Sequence, residues 1–245
     1  MSDDDRCWAG TALLRPGMLA VTGELGTSGL HAHHSVHVIL SSADIVLEDA
    51  TGDRLACRAA VIPPDVPHAI VQGAAAGYLC HLDSESTMGV RLARLVDPAD
   101  SVVGWSRAAT ELSTAAGWFR GILDPGLPPE DSVRHPAITR VLALLPDRLD
   151  GGSVRTAELA RAVGLSESRL LHLFTAEVGL PFRSYVRWLR MQCAVELVAT
   201  GCTLTEAAHG AGFADSSHLN RVCRSVFGGA PSEFARLHWI TEFPG

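Results

Sequence analysis

The chain contains 245 residues, of which 47% are hydrophobic and 19% are charged, and its formal net charge is −7. This composition excludes a disordered chain, and the length allows one large domain or two ordinary ones. No apolar run reaches the roughly 18 residues that span a membrane, and the N-terminal MSDDDRCW is acidic, unlike a secretory signal. The sequence therefore predicts a cytoplasmic protein without membrane contact, whose six scattered cysteines are reduced.

Charge is unevenly distributed along the chain. Residues 1–133 contain 8 arginines and 17 acidic residues, whereas residues 134–245 contain 12 arginines and 10 acidic residues. The chain has no lysine, so every fixed positive side chain is a planar guanidinium that can make paired hydrogen bonds. The pattern predicts an acidic front part and a weakly basic rear part.

The front part, to about Asp83, is rich in short runs that are typical of β-strands. These runs are HSVHVILS, ADIVLED, LACRAAVI, HAIVQG and GYLCHLD, and glycine, aspartate and proline separate them. Closely spaced strands of this kind predict a small antiparallel barrel or sandwich.

Histidines are concentrated in the string HAHHSVH, residues 31–37. On a single strand, His31, His33 and His37 point to one face and His34 to the other. His68 follows the proline-stiffened turn in IPPDVPHAI. Neutral imidazoles suit Zn²⁺, Ni²⁺ or Fe²⁺, so the sequence predicts a metal or effector site at His31, His33, His37 and His68. It equally allows these histidines to hydrogen-bond within the barrel or to contact an organic effector.

From about residue 86 the pattern becomes helical, in STMGVRLARLV and SRAATELSTAAGWFRGIL. Core packing alone would explain the apolar residues of this region, which are Trp105, Trp118, Phe119, Ile122 and Leu123. The segment DPGLPPEDSVRHP contains four prolines and is the predicted linker to the rear part.

The rear part contains one local pattern twice. In the first copy, TAELARAV predicts a helix, Gly164 begins a tight turn, and ESRLLHLFTAEV predicts a second helix. In the second copy, AAHGA predicts a short helix that Gly212 ends, and either Asp215 or Ser216 caps the next helix. That last helix has an apolar stripe at i, i+3, i+4 and i+7, made of Leu219, Val222, Cys223 and Val226.

Each copy therefore predicts a helix-turn-helix, in which one face packs the pair and the other presents polar groups to DNA. Between the copies, LPFRSYVRWLRMQCAVELVATG predicts one long helix. About 18 residues at about 1.5 Å each give a strut of about 27 Å. This length suits two recognition helices in successive major-groove faces, which are about 34 Å apart.

The doubled arrangement resembles the AraC/XylS family of bacterial transcription regulators. GLSESRLLHLFTAEVGLPFRSYVRWLRMQCAVELV is similar to the family's first motif and connecting helix. GAGFADSSHLNRVCRSVFGGAPSEF is similar to its second motif, including the closing FG-x-x-PSEF. The resemblance covers about residues 134–240 and implies DNA-contacting positions at Ser168, Leu171, His172, Ser216, Ser217, Asn220, Arg221 and Arg224.

The chain departs from the family pattern at His172, where arginine is frequent, and at Cys223, where an aromatic residue is frequent. A neutral histidine donates less well than arginine to guanine or phosphate, and Leu171 can only contact a thymine methyl group. We therefore expect the second motif to carry more of the base discrimination, or the first to favour sites that contain thymine.

The front part is also similar to a known pattern, the two-part cupin signature HxHxxxH plus PPDxPH. The cupin pattern has Glu or Gln where this chain has His37, and Gly where it has Asp65. Because many AraC-type regulators have cupin-like sensor barrels, the two resemblances agree. The family also implies that the helical segment 86–123 packs on the barrel and makes an antiparallel dimer contact.

Together these patterns predict an α+β chain of two domains. Residues 1–123 form a cupin-like β-barrel with a helical dimerisation segment, residues 124–135 a linker, and residues 136–245 an all-α domain with two helix-turn-helix motifs. The predicted function is a homodimeric, non-enzymatic transcription regulator that binds operator or promoter DNA under control of a small molecule or divalent metal. As an activator it would also contact RNA polymerase. The alternative is a cupin-type metal-dependent enzyme with an accessory helical domain.

Overall fold

The computed structural model describes residues 9–113, 135–149, 154–231 and 237–241. Apart from His135, the predicted linker lies outside the described residues, and so do Trp118, Phe119, Ile122 and Leu123. The described chain forms an N-terminal β-sheet with two helices, followed by a helical region and one final strand.

The sheet contains eight strands. They are β1 (Ala9–Arg15), β2 (Met18–Leu25), β3 (Ser28–His31), β4 (Ser35–Asp49), β5 (Arg54–Ile62), β6 (His68–Gln72), β7 (Ala74–Asp83) and β8 (Leu237–Thr241). The sequence prediction located the strands between Ser35 and Asp83, but β1, β2 and β3 precede the runs that it recognised.

Strand β4 organises the sheet. HSVHVILS and ADIVLED were expected as two strands, but they form one strand with a bulge between Leu40 and Ile45. On one side β4 pairs with β5 before and after the bulge. On the other side its first half pairs with β7 and its end pairs with β6. The bulge bends the strand, so that its two parts pair with different strands, β7 and β6, on the same side. Two branches result, β7-β2-β1-β8 and β6-β3.

The described helices are α1 (Thr87–Ala93), α2 (Val102–Ser113), α3 (Pro136–Leu144), α4 (Thr156–Ala162), α5 (Glu167–Val178), α6 (Phe182–Ala199), α7 (Leu204–Gly210) and α8 (Ser216–Phe227). Helix α2 packs on β5, and Trp105 of this helix is completely buried, as core packing requires. None of the described helices combines the length and the apolar character that crossing a bilayer requires.

The prediction of an all-α rear domain is wrong at its end, because residues 237–241 form a strand. Strand β8 pairs in parallel with β1, from Gly10 opposite Leu237 to Leu14 opposite Thr241. It covers the edge of β1 that β2 leaves open, and so provides hydrogen-bond partners for that edge. The helix-turn-helix patterns end before this segment, so they carried no signal for a strand that depends on β1.

Candidate functional site: two reading helices and a histidine cluster

The first helix-turn-helix has the predicted geometry. Gly164 lies in the turn after α4 with φ of +73°, a conformation that glycine adopts without steric cost. Helix α5 begins after Ser166, whose side chain accepts a hydrogen bond from the backbone N–H of Arg169 at 3.3 Å. Leu170 and Phe174 are fully buried beneath this helix. The predicted reading positions Ser168, Leu171 and His172 are all exposed.

The second helix-turn-helix repeats this arrangement. Gly212 ends the turn after α7 with φ of +77°, and Phe213 is buried in the corner. Asp215, rather than Ser216, is the cap of α8, since its carboxylate accepts from the N–H of His218 at 2.6 Å. In both units, the glycine of the turn and the cap of the second helix are therefore signals that the local sequence contains.

Helix α8 divides into a buried stripe and a polar face. Leu219, Cys223 and Val226 are buried, and Val222 is half-buried at the side of the stripe. On the polar face, Ser217, Arg221 and Arg224 are exposed, whereas Ser216 and Asn220 are half-buried. The predicted DNA-contacting residues of this helix therefore share one side of α8.

Helix α6 connects the two units and is also anchored to the sheet. Its 18 residues correspond to the predicted strut. At its start, the buried carboxylate of Asp83 on β7 accepts hydrogen bonds from Arg187 Nη2 and Trp188 Nε1, both at 2.8 Å. Further along, Gln192 Nε2 donates to the carbonyl oxygen of Leu14 at 2.7 Å. These buried polar contacts hold the helical region against the sheet.

The C-terminal turn of α8 is bound to the loop between β3 and β4. The backbone N–H of His34 donates to the carbonyl oxygen of Ser225, and the hydroxyl of Ser35 donates to that of Val226, each at 2.6 Å. The last carbonyl groups of a helix lack partners within the helix, so this loop satisfies two of them. Gly228 follows with φ of +73° and lies directly against the rings of His31 and His33.

The predicted histidine site is assembled, but by another route than the one expected. HAHHSVH is not a single strand, because β3 ends at His31 and β4 begins at Ser35. The rings converge because His31 is paired with His68 across β3 and β6, while His37 is paired with His81 across β4 and β7. The bend of β4 brings these two pairs together, and His33 comes from the loop between them.

Five imidazoles form what we call the histidine cluster: His31, His33, His37, His68 and His81. The centroid of the His33 ring lies 4.9 Å from that of His68 and 4.7 Å from that of His81, and His37 stacks on His81 at 4.6 Å. The predicted site did not include His81, because the pattern of GYLCHLD does not reveal which face of β7 is turned inward. Only the pairing of β7 with β4 decides it.

Hydrogen bonds determine which ring nitrogen carries the proton in the histidine cluster. The Nδ1–H groups of His31 and His68 donate to the carbonyl oxygens of Gly29 and Val66, both at 2.8 Å. The single hydroxyl proton of Ser35 is donated to Val226, so Ser35 Oγ accepts from the Nδ1–H groups of His33 and His81, at 3.0 and 2.9 Å. A neutral imidazole with its proton on Nδ1 has a lone pair on Nε2.

His37 completes this pattern. Because Nε2 of His68 has a lone pair, it accepts from Nδ1–H of His37 at 3.3 Å. Nε2 of His37 is then a buried lone pair, and neither it nor Nε2 of His33 has a hydrogen-bond partner within the described part of the chain. Buried polar atoms without partners are rare and point to a missing ligand or functional role.

Burial keeps most of the histidine cluster uncharged. Loss of hydration lowers the pKa of His33 and of His37 well below the ordinary value, and repulsion from neighbouring histidines lowers both further. The same causes, burial first, lower the pKa of His68 to about 4 and that of His81 to about 3. At neutral pH these rings are therefore neutral, which is the form that binds metal ions.

His34 lies outside the histidine cluster, as predicted. It is half exposed, and its Nδ1 lies 2.8 Å from a carboxylate oxygen of Asp65. Asp65 stands where the cupin pattern has glycine and has φ of +63°, the left-handed region that favours glycine. Its backbone N–H donates to the carbonyl oxygen of His33 at 2.8 Å, so this turn holds the loop that carries His33.

Residues 159–237 match the family model described as a helix-turn-helix domain. The chain is 28% identical over 143 residues to the transcriptional activator NphR of a Rhodococcus species, which covers 57% of this chain and 42% of that protein. It is 32% identical over 91 residues to the arabinose operon regulatory protein of Escherichia coli, which covers 37% of this chain and 31% of that protein. The chain thus matches less than half the length of these relatives.

Similar solved structures include ToxT of Vibrio cholerae, with a TM-score of 0.44 and 12% identity over 89% of this chain and 96% of that one. The C-terminal domain of the response regulator AraT of Geobacillus stearothermophilus has a TM-score of 0.40 and 20% identity, over 46% of this chain and 95% of that one. The sequence matches and the two helix pairs joined by α6 identify the rear part as a helix-turn-helix domain. The chain carries a helix-turn-helix domain of the AraC/XylS type and is related through it to the AraC family of transcription regulators.

Proposed function

We propose that this protein is a transcription regulator that binds double-stranded operator or promoter DNA through α5 and α8. The observation that carries the proposal is the doubled unit itself, in which both second helices expose a polar face and bury the opposite stripe. Several exposed arginines of this region can contact phosphates, and they include Arg161, Arg169, Arg183, Arg221 and Arg224. Base edges would be read by the remaining polar positions of α8 and by Ser168, Leu171 and His172 of α5.

The proposal includes control of DNA binding by a ligand of the histidine cluster, either a small molecule or a divalent metal ion. The support is the short path between the two sites, because Ser35 contacts two histidine rings on one side and α8 on the other. A ligand that moves the loop between β3 and β4 changes the position of α8. This shifts the population of states that bind DNA.

DNA binding is tested by selecting duplexes from a random pool with the full-length protein and measuring affinity for the selected site. Arg221→Ala should weaken binding and relax base preference by about 1–3 kcal/mol at one position. Arg58→Ala is the matched control, since Arg58 is an exposed arginine of the sheet paired with Asp44. If no duplex is enriched, or if Arg221→Ala and wild type give equal footprints, α8 is not the helix that contacts DNA.

Homodimerisation and contact with RNA polymerase are part of the same proposal. Two copies would place four helix-turn-helix units on one DNA site, which raises affinity through effective concentration. The mass of the free protein and of its DNA complex, measured by light scattering, tests the dimer. A transcription assay with purified polymerase on the selected site separates activation from repression.

A further inference from the structure

We propose that the histidine cluster binds one divalent transition-metal ion, held by Nε2 of His31, His33 and His68. This inference deepens the proposed function by naming the ligand class of its control site. Each of the three residues offers one nitrogen, and these three atoms all lie within 4.8 Å of one another. A bound ion would draw them to the edge length of a zinc tetrahedron, which is about 3.4 Å for Zn–N bonds of about 2.0–2.1 Å.

The proton positions favour metal binding over a purely structural role. In all three residues Nδ1–H donates to the protein, to Gly29, Ser35 or Val66, which leaves the lone pair on Nε2. The lone pair of His68 accepts from Nδ1–H of His37 in the metal-free protein. Metal-binding histidines almost always donate their second ring N–H to a carbonyl or other acceptor in this way, which fixes the tautomer and the ring orientation. A structural histidine would instead use both nitrogens, but Nε2 of His33 is buried without a hydrogen-bond partner.

His37 is positioned to complete the site. Its Nδ1 is 3.3 Å from Nε2 of His68, close to the edge of the zinc tetrahedron. Transfer of its proton from Nδ1 to Nε2, which has no hydrogen-bond partner among the described residues, turns Nδ1 into a fourth neutral donor. No charge is gained or lost in this change of tautomer.

The chemistry of the donors selects the class of ion. All donors are neutral imidazoles, which suit Zn²⁺, Co²⁺ and Ni²⁺, whereas non-haem iron sites of the facial-triad type include a carboxylate. The adjoining cavity, which His31, His37 and Arg224 help to line, has a volume of about 170 Å³. Organic ligands generally occupy about 300–1,000 Å³. The space therefore fits an ion with one or two small ligands better than a large organic effector.

The test titrates the chelator-treated, full-length protein with ZnCl₂ by calorimetry and with CoCl₂ by visible absorption. Wild type should bind one ion per chain, and the cobalt bands should be those of a nitrogen-coordinated tetrahedral site. His31→Ala and His68→Ala should each weaken metal binding by more than about 100-fold. Substitution of a residue that only supports a metal ligand typically costs no more than about 100-fold in affinity. His34→Ala is the control, because His34 lies in the same loop but pairs with Asp65 outside the histidine cluster.

His31 is the decisive position, because it is the most exposed member of the trio and its loss disturbs the core least. Circular dichroism of each metal-free variant checks its fold. Wild type that binds no ion, or a folded His31→Ala that binds as tightly as His34→Ala, would overturn the metal site. Protein that enriches DNA but binds no ion would refute this inference alone, whereas protein that binds the ion but enriches no duplex would refute the proposed function.

Discussion

The hydroxyl of Ser35 donates a 2.6 Å hydrogen bond to the carbonyl oxygen of Val226, which lies 191 residues further along the chain. The same oxygen atom of Ser35 accepts from His33 and His81. One buried side chain thus joins the histidine cluster to the end of α8, the helix proposed to read DNA.

Removal of this hydroxyl should therefore destabilise the protein. Ser35→Ala leaves the buried carbonyl group of Val226 and the ring N–H of His81 short of a partner, whereas Nδ1–H of His33 keeps the backbone carbonyl of residue 35 at 3.2 Å. We therefore expect a loss of about 1–3 kcal/mol in unfolding free energy, measured in urea. Ser42→Ala is the matched control, because Ser42 also donates to a carbonyl oxygen but is exposed, and its loss should cost less than about 0.5 kcal/mol. Equal values for the two variants would contradict the bridging role of Ser35.

Gly228 should be sensitive to any added side chain. Its positive φ disfavours alanine by about 1–2 kcal/mol, and a Cβ there would lie 2.6 Å from Cδ2 of His31. Gly201→Ala carries only the backbone cost, because nothing lies within 4 Å of its Cβ position. We expect Gly228→Ala to lower the melting temperature more than Gly201→Ala does, and to weaken zinc binding, which Gly201→Ala leaves unchanged. A Gly228→Ala protein with normal zinc affinity would show that α8 does not constrain His31.

Asp83 should contribute more to stability than a surface ion pair does. Its side chain is 2% exposed and accepts from Arg187 and Trp188 of α6, so Asp83→Ala leaves a buried indole N–H unpaired and should cost about 2 kcal/mol or more. Asp44→Ala removes an exposed partner of Arg58 and should cost no more than about 1 kcal/mol. Unfolding in urea measures both, and similar losses would contradict an anchoring role for Asp83.

The metal-free protein should lose stability as pH falls below about 6.5. Burial keeps His68 and His81 neutral when folded, with pKa values lowered to about 4 and about 3, while the unfolded chain takes up protons near pH 6.5. The unfolded state therefore binds more protons than the folded state does. As pH falls from about 6.5 to the folded pKa of each histidine, that residue lowers the unfolding free energy by up to about 1.4 kcal/mol per pH unit. If the unfolding free energy of the chelator-treated protein stays constant from pH 7 to pH 5, the buried rings are not held neutral in the folded state.

The helix-turn-helix units were predictable because their signals are local. Glycine at the turn, an oxygen-bearing cap and a stripe of apolar residues repeating every 3.6 positions all act within a dozen residues. The prediction therefore placed α5 at residues 167–178, where the structure has it, and identified the turn at Gly212. Which of Asp215 and Ser216 caps α8 depended on side-chain geometry that the sequence does not specify.

The histidine cluster was predicted for a partly wrong reason. Alternation along one strand was expected to align His31, His33 and His37, but a loop separates β3 from β4, and the pairings with β6 and β7 bring the rings together. The same pairings added His81, whose direction the sequence left open. Strand β8 was missed because a five-residue strand at a sheet edge is recognisable only when its partner is known.

The sequence by itself determined the doubled helix pair, its polar faces and the presence of many histidines near one another. Tertiary structure alone decided which imidazoles meet, which nitrogen of each ring remains free, and that the end of α8 lies against them. The physical reason is range: helix caps and turns are fixed by neighbours in the chain, whereas strand register and the contact of Ser35 with Val226 depend on packing between distant segments.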